Sequence, residues 1–162
     1  MEQTNTKQDR LREMCIGYGL NKEDVFKHKS FGFIIVTRTG IEKIMSKDSI
    51  TLSFEIVKCE HDFAAVKCTA KQKDLIIETF GSAYPKNCQS TYYLEMAEKR
   101  AKARAVLQIT NFYSLGVYSE VEADEFKQAP QQVQPKLKKG ETTIEKLNSE
   151  MEQTMREYNG EI

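Results

Sequence analysis

Residues 50–83 read ITLSFEIVKCEHDFAAVKCTAKQKDLIIETFGSA, and this stretch decides the fold class. Apolar and polar side chains alternate through 50–59, which is the period of a half-buried β-strand. Residues 63–70 and 75–83 also have the composition of strands, and short polar turns separate the segments. Turns this short join antiparallel neighbours, so the stretch predicts a three-stranded β-meander. The side chains expected on the buried face of its first strand are Ile50, Leu52, Phe54 and Ile56.

Helices are predicted on both sides of the meander. Residues 92–110 place Ala97, Ala101 and Ala105 on one face, where small side chains would let the helix lie close against a sheet. A second apolar stripe on this helix predicts a contact on its other side as well. Residues 5–18 show the i, i+3, i+4, i+7 spacing of one buried face. We expect an α+β fold in which a short antiparallel β-meander is packed by a long Ala/Arg helix, with an N-terminal helix and an appended C-terminal helix.

Composition divides the chain into four parts. We expect an N-terminal helical segment at 1–24, an α+β core at 25–126, a linker at 127–140 and an amphipathic C-terminal helix at 141–162. The linker is rich in Gln, Pro and Lys and has few large apolar side chains. At the start of the core, residues 31–38 predict a further strand and residues 40–47 a short helix.

The charges of the whole chain exclude the simplest electrostatic functions. Its 162 residues include 24 Lys plus Arg and 24 Asp plus Glu, so the formal net charge is zero. The molecule as a whole is therefore neither a basic nucleic-acid binder nor an acidic tail protein. The neutral sum conceals a basic segment at 85–112 followed by an acidic one at 113–127, which leaves room for a local positive surface.

The same composition bears on the compartment. No run of 18 apolar residues is present to form a membrane span, and the first ten residues show no apolar signal region. The four cysteines are scattered and match no disulfide framework. We therefore expect a cytoplasmic protein without a membrane partner.

Catalytic and metal chemistry are weakly indicated. Cys59 and His61 form a single close pair of ligand types, whereas a zinc site commonly uses two such pairs. The acidic side chains within 120–125 offer carboxylates to a metal-dependent nuclease, but they follow no predicted strand, and we interpret them as a solvated segment. No nucleophile elbow, zinc-protease or phosphate-loop motif occurs. We expect no enzymatic activity, no metal and no cofactor.

The basic part of the long helix reads MAEKRAKARAVL over 96–107. Arg100 and Arg104 are four residues apart and share a face, while Lys99 and Lys102 share a different one. Such a helix can offer cations to a phosphate backbone at several points. The alternatives are a solvated face on an ordinary helix and, for the two arginines, a partly buried structural role in which each pairs with a carboxylate.

This helix and the loop before it resemble a known family. Gly81-Ser82-Ala83, followed by AEKRAKARAVL at 97–107, is similar to the A-E-x-R-A-x-x-R-A-L signature of the single-strand DNA annealing proteins. That superfamily includes phage annealing recombinases of the essential-recombination-function type and the eukaryotic annealing mediator of break repair. The meander also resembles their sheet, and the resemblance covers about residues 30–126.

The resemblance implies single-stranded DNA binding and strand annealing in phage homologous recombination and DNA repair, without bond-making chemistry. Such proteins form homo-oligomeric rings or filaments and hold the DNA backbone in a groove between the meander and the basic helix. By position, the resemblance implies DNA contacts from Lys99, Arg100, Lys102 and Arg104 first, then from Lys67, Lys71 and Lys73, and then from Arg38. The chain departs from the family in being less basic and in carrying an acidic stretch at 118–126, near the implied groove entrance.

The predicted C-terminal helix has an apolar stripe formed by Ile144, Leu147, Met151 and Met155. A helix of about two heptads is marginal alone in water, so it needs a partner surface. By analogy with annealing proteins, that surface belongs to a host single-strand-binding protein or to a neighbouring subunit; the alternative is that the helix folds back on its own core. The rival function for the chain is a non-enzymatic phage or bacterial protein-interaction module that uses this helix.

Overall fold

The computed structural model describes residues 6–123. The chain divides into two compact units, Met1–Ala129 and Pro130–Ile162, and the described residues all belong to the first. In chain order, the elements are helix α1 (Lys7–Gly17), strands β1 (Val25–Lys27) and β2 (Ile34–Val36), helix α2 (Arg38–Lys47), strands β3 (Thr51–Glu60), β4 (Phe63–Gln72) and β5 (Leu75–Ala83), helix α3 (Tyr93–Ile109), a 3-10 turn (Tyr113–Leu115) and strand β6 (Val117–Ser119). The predicted linker at 127–140 and helix at 141–162 lie outside the described residues.

The predicted α+β fold is confirmed. Strands β3, β4 and β5 form an antiparallel sheet in that order, and α3 packs on one face of it. Alternate β4 side chains, from Ala64 to Ala70, are buried beneath the helix, while those between them face the other way. We call this other surface the open face of the meander.

The close fit of α3 on the meander depends on Gly81. A Cβ at this position would lie 2.2 Å from the Ala97 carbonyl oxygen and 2.5 Å from the Ala101 amide nitrogen. The helix backbone therefore rests directly on β5, and the Thr79 hydroxyl donates to the Ala101 carbonyl oxygen at 2.8 Å. Ala97, Ala101 and Ala105 are fully buried. These contacts explain why the small residues predicted on this helix face are required.

The prediction of a half-buried first strand is wrong for most of β3. Phe54 and Ile56 lie on the side of the sheet that faces α3, yet they are 42% and 58% exposed. Leu52 is the one partly buried residue within β3, and Ile50, which is buried, precedes the strand. The reason is geometric. A helix is about 10 Å wide and strands are about 4.8 Å apart, so α3 covers β4 and β5 and leaves β3 uncovered.

A second, smaller sheet contains β1, β2 and β6, with β2 in the middle. β1 is antiparallel to β2, while β6 is parallel to it and arrives from the far end of the described chain. The predicted strand at 31–38 is confirmed only in its centre, as β2. The two outer strands, β1 and β6, are too short to produce a periodic pattern in the sequence. Val36 and Val117 of this sheet are buried in one cluster with Ile44 of α2 and Leu107 of α3. The predicted second contact of α3 is thereby confirmed.

The N-terminal helix is also confirmed. The Thr6 side chain accepts from the Asp9 backbone amide, and the Asp9 carboxylate accepts from the Thr6 backbone amide, which forms a capping box. The apolar face of α1 packs, partly buried, against the core, and consists of Leu11, Met14, Cys15 and Tyr18. Tyr18 also donates its hydroxyl to Asp48, at the end of α2, at 2.5 Å. Burial and this carboxylate raise the pKa of Tyr18 well above its usual value.

Candidate nucleic-acid interface

Arg100, a leading candidate for DNA contact, is fully buried. Its Nη1 donates to the Ser82 carbonyl oxygen at 2.7 Å, and its Nη2 donates to the Asn87 carbonyl oxygen at 2.6 Å. Arg100 therefore holds the end of β5 and the following loop against α3. Arg100 thus has a structural role, although these two partners are backbone carbonyls and not the carboxylate that the structural alternative named. Because the side chain is buried, the structure favours this role over contact with a phosphate at the surface.

The Arg104 side chain also binds other groups of the same protein. Its Nε donates to Glu122 at 2.6 Å and its Nη1 to the Phe80 carbonyl oxygen at 2.9 Å. Glu122 is almost completely buried and also accepts from the amide and the hydroxyl of Ser119, at 3.1 and 3.0 Å. Arg104 thus ties β5 to the chain that follows β6. This is the carboxylate pairing that the sequence offered as the structural alternative.

The two arginines act together on one strand. The carbonyls of Phe80 and Ser82 are two residues apart on β5, so they point to the same side of the strand, about 6.6 Å apart. Arg100 and Arg104 are four residues apart on α3, which is a rise of about 6 Å. The two spacings match, and each arginine reaches one carbonyl. We call this arrangement the arginine clamp. The two arginines of the family-like motif, four residues apart, therefore have a structural role in this protein that involves no nucleic acid.

The candidates from the central hairpin lie apart from α3. Lys67 is on the open face, where its Nζ is 2.9 Å from Glu55 and 3.4 Å from Glu78. Hydrogen bonding to Glu55 first, and to Glu78 as well, raises the pKa of Lys67 and stabilises its charge, but these carboxylates also offset that charge locally. Lys71 and Lys73 are exposed at or beside the β4–β5 turn.

The resemblance implied a groove between the meander and the basic helix, but α3 packs directly on β4 and β5, so no groove separates the helix from these two strands. The structure places a cleft on a different side of α3. The remaining candidates, Arg38, Lys99 and Lys102, line this cleft together, which has a volume of about 180 Å³. Its other lining residues are Val36, Ile41, Glu42, Glu98, Ala103, Ser119, Glu120 and Val121. We call it the α2–α3 cleft.

The electrostatics of the α2–α3 cleft are mixed. Lys102 pairs with Glu42, with 2.6 Å between Nζ and Oε1, so part of its charge is offset. The side chains of Arg38 and Lys99 are exposed and make no ion pair within residues 6–123. Three carboxylates share the cleft with the three cations. A polyanion would therefore be bound mainly through Arg38 and Lys99.

Sequence reasoning missed that Glu42 lies in this cleft, and it did not bring Glu120 next to Arg38. Glu42 is 60 positions from Lys102 in the chain, and Glu120 reaches the cleft because β6 runs parallel to β2. The Glu120 carboxylate lies 3.5 Å from the backbone amide of Arg38. No local pattern connects these segments, so only the tertiary structure brings them together.

The remaining observations concern metal binding, the C-terminal stripe and membrane spans. No group of three or more His, Cys, Asp or Glu side chains among residues 6–123 is placed to hold a metal ion. The stripe Ile144, Leu147, Met151 and Met155 lies outside the described residues. Within the described part of the chain, no helix is both long and apolar enough to cross a membrane.

In comparisons with known proteins, the chain matches no family model, and no curated protein or solved structure is significantly similar to it. The resemblance to annealing proteins therefore rests on the motifs and on the order of the elements.

Proposed function

We propose that this protein binds single-stranded DNA and anneals complementary strands in phage-type homologous recombination, as a cytoplasmic oligomer that makes no covalent bonds. The observation that carries the proposal is the α2–α3 cleft, where Arg38, Lys99 and Lys102 come together from two helices. A second observation supports the resemblance behind it. Gly81 and Arg100, which belong to the family-like motif, are among the residues that hold α3 on the meander.

The chemistry of the cleft suits a single strand held by its backbone. Arg38 and Lys99 offer exposed cations to phosphates, and a backbone held in this way keeps its bases available for pairing. Glu42, Glu98 and Glu120 reduce the positive potential, so we expect modest affinity that falls steeply as salt increases. Docking of the C-terminal helix on a host single-strand-binding protein stays a prediction.

The test is a titration of a fluorescent single-stranded oligonucleotide at about 50 and about 200 mM salt, the range in which phosphate contacts are most evident. In the double variant Arg38→Gln, Lys99→Gln, we expect about tenfold weaker binding at the lower salt. The slope of log affinity against log salt should become shallower by about 0.7 for each phosphate that the variant no longer neutralises. A fluorescence assay of strand pairing then measures annealing.

The matched control is the double variant Lys22→Gln, Lys29→Gln. It removes the same charge from exposed positions that do not line the α2–α3 cleft. We expect it to change affinity less than twofold. An equal loss in both double variants would show a general charge effect and remove the cleft from the proposal. No binding of the original chain at about 50 mM salt would overturn the function itself and favour the protein-interaction alternative.

A further inference from the structure

The two edges of the meander differ in what covers them. β5 lies beneath α3, and two of its carbonyls accept from the arginine clamp. β3 is the opposite edge, and among residues 6–123 it pairs with β4 alone. Its outer backbone groups face away from the sheet over ten residues. Proteins commonly protect long edge strands, because an open edge invites pairing with another strand.

The edge strand β3 also carries a row of apolar side chains. In the β3–β4 register, Leu52, Phe54 and Ile56 lie opposite Ala70, Cys68 and Val66, which are buried under α3. The side chains of the row point to the same side, but they extend beyond the helix, and Phe54 and Ile56 are largely exposed. An exposed apolar row beside an open strand edge is typical of an interaction surface.

We infer that β3 pairs with β3 of a second copy of this chain, antiparallel about a two-fold axis at Phe54. The two meanders would then form one continuous sheet with both α3 helices on the same face. In this register Phe54 is opposite Phe54 of the second copy, Leu52 is opposite Ile56, and Glu55 is opposite Ser53. Centring the pair on Glu55 would place two carboxylates opposite each other, which is unfavourable. The irregularity in β3 after Ile56 ends the regular pairing there.

The strand edge favours a second copy over other occupants. A helix such as the one predicted at 141–162 could cover the apolar row, but it could not hydrogen-bond to the backbone edge of β3. Pairing of β3 with β5 of another copy conflicts with the arginine clamp and with the position of α3. The pairing does not require nucleic acid, although it would supply one contact of the proposed oligomer.

The short paired segment limits the strength of the dimer. Stable interfaces bury about 800 Å² on each partner. Pairing over Leu52–Ile56 buries less than this, so we expect a reversible dimer with a dissociation constant in the micromolar range. Light scattering of the full chain across that concentration range should therefore show a monomer–dimer equilibrium.

Two lysine substitutions form a matched pair for this test. Ile56, on the edge strand, and Ile76, on β5, are the same residue type and are 58% and 57% exposed. Ile56→Lys should weaken the dimer at least tenfold, because it places a charge in the apolar row. Ile76→Lys should leave the equilibrium within twofold of the original chain. Circular dichroism confirms that both variants are folded.

Cross-linking tests the register. In a Cys59→Ser background, Phe54→Cys places two thiols opposite each other across the two-fold axis, and oxidation should yield a reducible dimer. Ile76→Cys in the same background should yield little. A full-chain monomer at all concentrations, or equal responses of the Ile56 and Ile76 variants, would overturn the pairing.

Oligonucleotide binding separates this inference from the proposed function. Ile56→Lys leaves the α2–α3 cleft unchanged, so the monomeric variant should still bind a single strand. If the chain dimerises as predicted but binds no DNA, the pairing stands and the proposed function fails. If the chain binds DNA but does not dimerise through β3, the proposed function stands and the pairing fails.

Discussion

The two edge strands of the meander, β5 and β3, have similar apolar content but very different surroundings. On the β5 side, Gly81 lets α3 rest on the strand backbone, and Thr79 and the arginine clamp hold it there. On the β3 side, Phe54 and Ile56 carry larger apolar side chains and remain exposed. The small residues determine where the helix lies, and the larger apolar residues are buried only where the helix reaches. Hydrophobicity alone therefore does not predict which strand joins the core.

A second contrast lies within α3 itself. Lys99 and Arg100 are consecutive cations, yet Lys99 is exposed in the α2–α3 cleft and Arg100 is fully buried on β5. The difference follows from the helical period, which turns neighbouring side chains by about 100°. The basic segment therefore has two roles, one in holding the fold together and one at the surface. Three experiments test these contrasts.

The largest expected effect comes from changing the closest contact on the β5 side. Gly81→Ala places a methyl group against the backbone of α3, and a backbone cannot yield as a flexible side chain does. We expect a loss of about 3 kcal/mol in the free energy of unfolding, at the upper end for overpacking. Urea denaturation measures it. Ser82→Ala, the adjacent control, should change stability by less than about 0.5 kcal/mol, and a similarly small effect at Gly81 would contradict the close fit.

The next effect separates Lys99 and Arg100, the two consecutive cations in the middle of α3. Arg100→Met leaves the carbonyls of Ser82 and Asn87 without their arginine donor, and we expect a loss of about 2–3 kcal/mol in unfolding free energy. Lys99→Met changes an exposed side chain and should cost less than about 0.5 kcal/mol. For oligonucleotide binding, measured at equal concentrations of folded protein, we expect the opposite order. Lys99→Met should weaken binding more than Arg100→Met does. If Arg100→Met left stability unchanged, the structural role of this arginine would be wrong.

The smallest effect compares thiols on neighbouring strands. Cys68, on β4 beneath α3, is fully buried, and this burial raises its pKa from 9.0 to about 11. A pKa raised by two units leaves about a hundredfold less thiolate at pH 8, and the thiolate is the reactive form. Cys59, on β3, is exposed. We would compare a variant that keeps Cys59 but not Cys68 with one that keeps Cys68 but not Cys59. A chromogenic disulfide reagent should label Cys59 much faster than Cys68. Equal rates would show that α3 does not protect β4.

Local patterns predicted much of the fold. The alternation and polar turns of residues 50–83 predicted the meander, because the period of a strand and the chemistry of a turn are properties of neighbouring residues. The alanine face at 97–105 likewise predicted a helix close to a sheet, and Gly81 shows why. The short outer strands β1 and β6 were beyond this reasoning, since each has three residues and pairs with a distant segment.

The candidate site was predicted less well than the fold. The sequence identified the cations of α3, and its periodicity assigned them to different faces. Only the tertiary structure showed that Arg100 and Arg104 bind strand carbonyls, while Arg38, Lys99 and Lys102 share a cleft with acidic residues. The physical reason is general. Periodicity tells which side chains lie together on one element, but exposure and charge pairing depend on the other elements that pack against it.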